Sequence, residues 1–148
     1  MKHGIETEET AAASYAHDND VNVFPAGIVK TPSSPHLSTS PDRRVYDASE
    51  MNPWGLLEIK CPVKSSITEL LYLKCINGVY KLRKTHSYNY QMMGQMLLTG
   101  TTWVDFYVYC QLDFHLERVR LDEKFCSDMK QKLDSFYFHY LLPKLLQV

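Results

Sequence analysis

The spacing of apolar and polar residues predicts helices near both ends of the chain. Residues 4–16 are rich in helix formers, with acidic side chains early, where the helix dipole favours them. A second helix is predicted from Ser87, which can cap it, to Leu98, with Gly100 ending it. From Asp122 to Leu146 apolar residues recur at helical spacing, which predicts a final amphipathic helix.

Between these helices, runs of β-branched and aromatic residues predict strands. Arg43–Tyr46 and Gly55–Cys61 are expected inside a sheet, and residues 103–110 with 114–121 are expected to form a late hairpin. Segment 18–41 predicts a hairpin followed by an irregular, Pro- and Ser-rich loop. The order of elements predicts an α/β fold with a mixed central β-sheet flanked by α-helices.

One further helix is predicted from a capping pattern. Glu69 follows Ser66 by three positions, as in a capping box, and the helix is expected over Ile67–Lys74. A basic loop, KLRKTH, comes next.

The length and net charge of the chain limit the classes of protein to which it can belong. The chain has 148 residues, which predicts a single domain over 1–148, and its 16 basic and 17 acidic residues give a net charge of -1. Any contact with DNA is therefore local, because no general basic field attracts it. No apolar run is long enough to span a bilayer, so we expect no membrane partner and an intracellular, soluble protein, either nuclear or cytoplasmic. Cysteines at 61, 75 and 110 are expected to be buried free thiols.

The stretch LLEIKCP, residues 56–62, carries candidate chemistry. On a strand, Leu57, Ile59 and Cys61 share one face, and Glu58 and Lys60 share the other. Taken alone, this acid and base pair is most simply a solvated ion pair of little energetic value.

A second acid changes that interpretation. Pro41 restricts the backbone around Ser40, so Asp42 is held stiffly at the start of the preceding strand. Adjacent strands can bring Asp42 and Glu58 together, and one or two carboxylates with water and phosphate oxygens are what Mg²⁺ prefers. Lys60 could then orient or deprotonate water, or neutralise charge in phosphodiester hydrolysis.

These motifs carry a family resemblance. Pro41-Asp42 followed by Glu58-Ile59-Lys60 resembles the signature of the PD-(D/E)XK nuclease superfamily. HLSTSPD, GLLEIKCP, YNYQMMGQMLLTG and WVDFYVY, in this order, resemble the lambda exonuclease-like, or YqaJ-type viral recombinase, family. The resemblance implies a restriction-endonuclease-like core.

The resemblance also implies roles for individual residues. It implies metal ligation by Asp42, Glu58, the Ile59 carbonyl and Glu8, and catalytic roles for Asp42, Glu58, Lys60 and Gln91. Glu8 comes from a G-x-x-x-E-x-x-A pattern that begins at Gly4, and Gln91 from a Y-x-x-Q helix pattern. From the residues alone, Glu8 could equally be solvated, and the polar stripe of Tyr88, Gln91 and Gln95 could be surface.

By the same resemblance, the chain would be a Mg²⁺-dependent exonuclease, with Mn²⁺ able to substitute. It would digest one strand of duplex DNA from its 5′ end in recombination or repair, and would form a homotrimer. The basic residues expected to contact phosphates are Arg43, Arg44, Lys81, Arg83 and Lys84.

The alternative is a catalytically reduced DNA-binding or interaction domain with the same fold. Family members often carry another aspartate before S-P-D, but GIVKTPSSP contains no acid. The family also has helices upstream of the position of Gly4, so a domain lacking N-terminal helices is expected here.

Overall fold

The computed structural model describes residues 2–147 of the chain, and side chains from Glu6 to Gln147. Four helices and nine strands lie within this part, together with a 3₁₀ turn and a π turn. They are α1 (Lys2–Asn19), β1 (Asn22–Pro25), β2 (Val29–Thr31), β3 (Ser34–Thr39), β4 (Arg43–Tyr46), β5 (Trp54–Lys60), a 3₁₀ turn (Ile67–Glu69), β6 (Leu73–Ile76), β7 (Val79–Leu82), α2 (Ser87–Thr99), β8 (Trp103–Tyr109), β9 (Phe114–Arg120), α3 (Glu123–Phe136), a π turn (Tyr137–Leu141) and α4 (Leu142–Leu146).

The main sheet has five strands in the order β1-β4-β5-β8-β9. Strands β5 and β8 are parallel, and the other neighbouring pairs are antiparallel. Two hairpins, β2-β3 and β6-β7, lie outside this sheet. The predicted α/β fold with a mixed central sheet is confirmed, and so is the β8-β9 hairpin.

Helices pack on both faces of the sheet and create two cores. On one face, Ala11 and Tyr15 of α1 pack with Leu57, Ile59 and other buried side chains of the sheet. On the other face, the core consists of buried residues from the sheet, α2, α3 and the β6-β7 hairpin, among them Leu56, Met92, Met96, Phe106 and Cys126. Strand alternation therefore directs even-numbered residues of β5 towards α2 and odd-numbered ones towards α1.

The helix predicted over Ile67–Lys74 is wrong. The Ser66–Glu69 capping box is present, but it starts only a 3₁₀ turn that ends at Glu69. The chain then forms β6 and β7 around Asn77-Gly78, whose φ angles of 52° and 78° lie in the left-handed region. Because Asn-Gly matches the twist of a two-residue hairpin turn, the local turn chemistry outweighs the capping signal.

The segment between α1 and β4 also differs from prediction. Strand β1 does not form a hairpin with the next strand but joins the main sheet beside β4. The expected irregular loop contains β3, which pairs with β2. Proline lacks a backbone donor but is tolerated at the edge of a two-stranded ribbon, so Pro35 does not prevent this pairing.

Smaller corrections concern helix ends and a thiol. The side chain of His86, not that of Ser87, caps α2, and Gly100 ends it with φ of 72° as predicted. The last helix is interrupted by the π turn just before Pro143, a residue that cannot donate a backbone hydrogen bond. Cys75 is exposed and Cys61 half-buried, whereas Cys110 is buried as predicted.

Within residues 2–147, no helix combines the length and apolar character required to cross a membrane.

Candidate active site

The sheet brings Asp42 and Glu58 together at the end of β4. Arg43 of β4 pairs with Leu57 of β5, so continuing the antiparallel register places Asp42 opposite Glu58. Both side chains belong to the face of the sheet that α2 covers. The spatial relationship expected from the two sequence motifs is thus present.

Glu58 is almost completely buried and is held by three side-chain donors. Its side chain is 3% exposed, and Lys60 Nζ lies 2.8 Å from its Oε1. From α2, Gln91 Nε2 donates to the same oxygen at 3.0 Å, and Gln95 Nε2 donates to Oε2 at 2.8 Å. A buried charge needs such partners, because burial without them strongly disfavours the ionised form. The position of this one carboxylate thus depends on two elements, β5 and α2.

Asp42 is fixed by the backbone of β5. Its Oδ2 accepts a hydrogen bond from the Ile59 amide at 2.8 Å. Burial and the neighbouring negative charge of Glu58 raise the pKa of Asp42, although the Ile59 amide, Lys60 and Arg43 act in the opposite direction. The two carboxylates therefore repel each other in a partly desolvated place.

This arrangement fits a hard divalent cation. A cation between Asp42 and Glu58 would relieve the repulsion that raises the Asp42 pKa. The amide of Ile59 points to Asp42. Since the amide and carbonyl of one strand residue point to the same side of the strand, the Ile59 carbonyl oxygen is suitably placed as a third ligand of the cation. Two carboxylates and a carbonyl leave positions for water and phosphate oxygens, as Mg²⁺ sites commonly do.

Lys60 sits where it can act on a substrate. Its side chain is 20% exposed, and the ammonium lies 4.3 Å from the centroid of the Tyr88 ring. It also donates to Gln91 Oε1 at 3.4 Å. The ring and the two polar partners fix the ammonium beside the carboxylates while leaving it open to solvent.

Glu8 lies at the margin of this arrangement, on α1. Its Oε1 accepts from Arg43 Nη1 at 3.2 Å, and Arg43 also bonds Glu9 at 2.8 Å. Within the described residues no group of three His, Cys, Asp or Glu side chains converges on one metal position. Glu8 is near enough that its charge, after burial, raises the pKa of the Cys61 thiol.

The five basic residues predicted to contact phosphates are not equivalent. Arg43 is 17% exposed and paired with two glutamates, so its charge is largely compensated. Arg44, Lys81, Arg83 and Lys84 are exposed. Sequence reasoning missed Lys64, an exposed lysine that lines a cleft of about 530 Å³ with Cys61 at the carboxyl ends of β5 and β8.

Gln95 is the other residue whose contribution was not predicted. The sequence places Gln95 in a polar stripe of α2, and the structure shows its side chain completely buried and bonded to Glu58, with no hydrogen-bond partner for its Oε1. A glutamine four residues after Gln91 repeats the same helix face, which is the signal that could have identified it.

Comparison with known proteins agrees with this geometry. The family model for the YqaJ-like viral recombinase domain matches residues 1–102. No curated protein matches the chain.

Two solved structures are similar over nearly the whole chain. An alkaline exonuclease, LHK-Exo from Laribacter hongkongensis, is 25% identical with a TM-score of 0.71, covering 97% of this chain and 72% of its own. LHK-Exo in complex with dAMP is 26% identical with a TM-score of 0.73, and the match covers 99% of this chain and 74% of the LHK-Exo chain. The likeness to these structures confirms the expected restriction-endonuclease-like core. Because the family model covers more than half of this chain, the chain belongs to the YqaJ-like viral recombinase family.

Proposed function

We propose that this protein is a DNA exonuclease that hydrolyses phosphodiester bonds at duplex ends, acting from the 5′ end in recombination or repair. The observation that carries the proposal is the convergence of Asp42, Glu58 and Lys60 on one face of the sheet. The similarity to an alkaline exonuclease supports the reaction class.

Mg²⁺ is the proposed metal, with Mn²⁺ as a substitute, held by Asp42, Glu58 and the Ile59 carbonyl. When bound, such an ion polarises the phosphoryl group and lowers the pKa of a bound water. Glu8 is proposed as a further acid that contributes from α1. Its ion pair with Arg43 would have to open before it could bind a metal directly.

The chain's own residues would orient the attack. Lys60 Nζ would donate to the attacking water or to a phosphoryl oxygen, where negative charge grows in the transition state. Gln91, with its amide nitrogen on Glu58 and its amide oxygen facing Lys60, fixes the distance between these two groups. Catalysis would therefore depend on geometry that exists before DNA binds.

Contacts with the DNA backbone are proposed for Arg43, Arg44, Lys81, Arg83 and Lys84. Arg43 would contact DNA only if its ion pairs with glutamates were replaced by an ion pair with a phosphate.

A homotrimer is proposed from the family resemblance. Light scattering would test it, since a trimer has three times the chain mass of 17.2 kDa. An intracellular location is proposed too, and four free cysteines support it.

The decisive experiment follows a duplex labelled at one 5′ end or one 3′ end in the presence of Mg²⁺. Wild type should release the 5′ label first as mononucleotide, and Lys60→Met should not. Lys132→Met, a change at an exposed lysine of α3, is the matched control and should behave as wild type. Equal background turnover by wild type and Lys60→Met would reject the enzyme.

The second candidate is a catalytically reduced DNA-binding domain with the same fold. The absence of a group of three metal-binding side chains among the described residues favours it. In that case duplex DNA would bind with similar affinity to wild type and Lys60→Met, and neither would cleave it.

A further inference from the structure

A group of aromatic side chains and an arginine lies on the same face of the sheet as the acids. Register pairs Phe24 of β1 with Arg44 of β4, and Tyr46 of β4 with Trp54 of β5. These four residues are called the aromatic patch below. Side chains that are directly opposite one another on neighbouring strands share a face, so the patch is continuous across three strands.

Trp54 is the centre of the patch. Its ring centroid lies 5.6 Å from that of Phe24 and 5.1 Å from that of Tyr46. Trp54 is nevertheless 45% exposed and Phe24 38% exposed. Their neighbours therefore hold the rings in place while a large part of the aromatic surface stays in contact with solvent.

The charge of the patch is positive and uncompensated. The Arg44 guanidinium lies 5.6 Å from the centroid of the Trp54 ring, and within residues 6–147 it makes no ion pair. This contrasts with Arg43, which bonds two glutamates. The acids that follow β4 in the sequence, Asp47 and Glu50, are bonded to Arg118 and not to Arg44.

The patch lies on the same face of the sheet as the candidate active site. Arg44 is two residues from Asp42 and Trp54 is four residues from Glu58, so all four share one face, and the longer separation is about 13 Å along a strand. A cleft of about 390 Å³ adjoins the patch and includes Pro41, Arg44 and Trp54 in its lining.

We propose that the aromatic patch binds a short single-stranded stretch of DNA, with a base stacked on Trp54 and a phosphate beside Arg44. Exposed rings next to an unpaired cation are what sequence-tolerant single-strand binding uses. Bases within a duplex are already stacked, so their faces are accessible only in a single strand. The inference rests on the proposed function, because digesting one strand of a duplex leaves its complement single-stranded.

Binding of a fluorescent single-stranded oligonucleotide, measured by anisotropy in EDTA, tests the proposal without cleavage. Trp54→Leu should weaken binding about tenfold, since stacking one base on an aromatic ring contributes that order of affinity. Arg44→Gln should weaken it as well. Tyr140→Leu removes a ring of the π turn that is more exposed than Trp54, 68% against 45%, and should leave binding unchanged. Thermal unfolding should show that each variant is folded; if Trp54→Leu is not, Trp54→Phe replaces it, with a smaller loss expected.

An abasic oligonucleotide separates stacking from simple charge attraction. It should bind wild type less tightly than the normal oligonucleotide, and Trp54→Leu should not weaken its binding further. The chain has two tryptophans, Trp54 and the fully buried Trp103, so quenching of exposed tryptophan by iodide reports on Trp54. DNA should protect that fluorescence from iodide.

Equal affinity of wild type and Trp54→Leu for the normal oligonucleotide overturns the proposal. Protection of Trp54 that depends on protein concentration and not on DNA would assign the patch to self-association, and overturns it too. If wild type fails to cleave a duplex but binding depends on Trp54, only the proposed enzyme fails. If cleavage is normal and binding is independent of Trp54, only the patch proposal fails.

Discussion

Lys60 Nζ lies 2.8 Å from Glu58 Oε1, and the two side chains project from the same face of β5. An acid and a base separated by one residue on a strand commonly form a solvated pair. Here α2 buries Glu58 while Lys60 stays partly exposed, so the pair lies at the border between the core and the candidate active site and is not a solvated surface pair.

Replacing the ammonium therefore tests the chemistry of this pair directly. Lys60→Met keeps the length of the side chain and should lower the rate of duplex digestion by about 10²- to 10⁴-fold, the usual contribution of a group that moves or holds a proton. Turnover should be measured under single-turnover conditions, with Lys132→Met as the control. A loss of less than tenfold would mean that Lys60 does not act in the chemical step.

Gln95 should influence the metal without contacting it. Gln95→Met removes the donor to Glu58 Oε2, and we expect Mn²⁺ to bind about tenfold more weakly, since partners of metal ligands typically contribute 10- to 100-fold in affinity. Calorimetric titration with Mn²⁺ and no DNA measures this. Gln131→Met, at an exposed position of α3, should leave the affinity unchanged. Unaltered binding by Gln95→Met would show that the contact only supports packing.

The approach of β5 to Trp103 leaves no room for a side chain at Gly55. A Cβ atom there would lie 2.3 Å from the Trp103 ring, which is fully buried and donates its indole N–H to the Asn52 carbonyl. Gly55→Ala should lower the free energy of unfolding by about 1–3 kcal/mol in urea denaturation, as overpacking does. Gly27→Ala meets no atom within 4 Å and should change stability by less than about 0.5 kcal/mol. Equal stabilities of the two variants would contradict the packing described.

Glu117 should make stability depend on pH on the acid side. Burial opposes its ionisation, but hydrogen bonds from His115 and from the Leu82 amide outweigh it and hold the pKa of Glu117 below the ordinary 4.5. A depressed carboxyl pKa stabilises the fold above the ordinary value, and that stabilisation is lost as pH falls through the lower one.

Glu117→Gln should therefore reduce the free energy of unfolding at pH 7 by about 1 kcal/mol, and by less at acidic pH. Urea denaturation at several pH values compares it with wild type. Asp128→Asn, at an exposed carboxylate of α3, is the control and should show no such trend. The same loss for Glu117→Gln at every pH would contradict the assigned pKa direction.

The sequence predicted the parts of the site that depend on strand alternation. Asp42, Glu58 and Lys60 follow from two strands whose register is set by their apolar faces, so their meeting was foreseeable. Gln95 was not, because whether a polar stripe on a helix is buried depends on which segments distant in sequence pack against it, and here that stripe faces Glu58 of β5. The sequence carries two competing signals before α2, the capping box at Ser66 and the Asn77-Gly78 turn; the first predicts a helix, but it starts only a 3₁₀ turn, and the second forms the β6-β7 hairpin.

We expect Asp42 and Glu58 to bind one divalent ion together. A crystal structure of the protein soaked in Mn²⁺, with anomalous scattering to locate the metal, tests it most directly. We expect an anomalous peak within coordination distance of both carboxylates and of the Ile59 carbonyl, and we expect this peak to disappear in Glu58→Gln. A crystal that takes up Mn²⁺ elsewhere, with Asp42 and Glu58 uncoordinated, would contradict it.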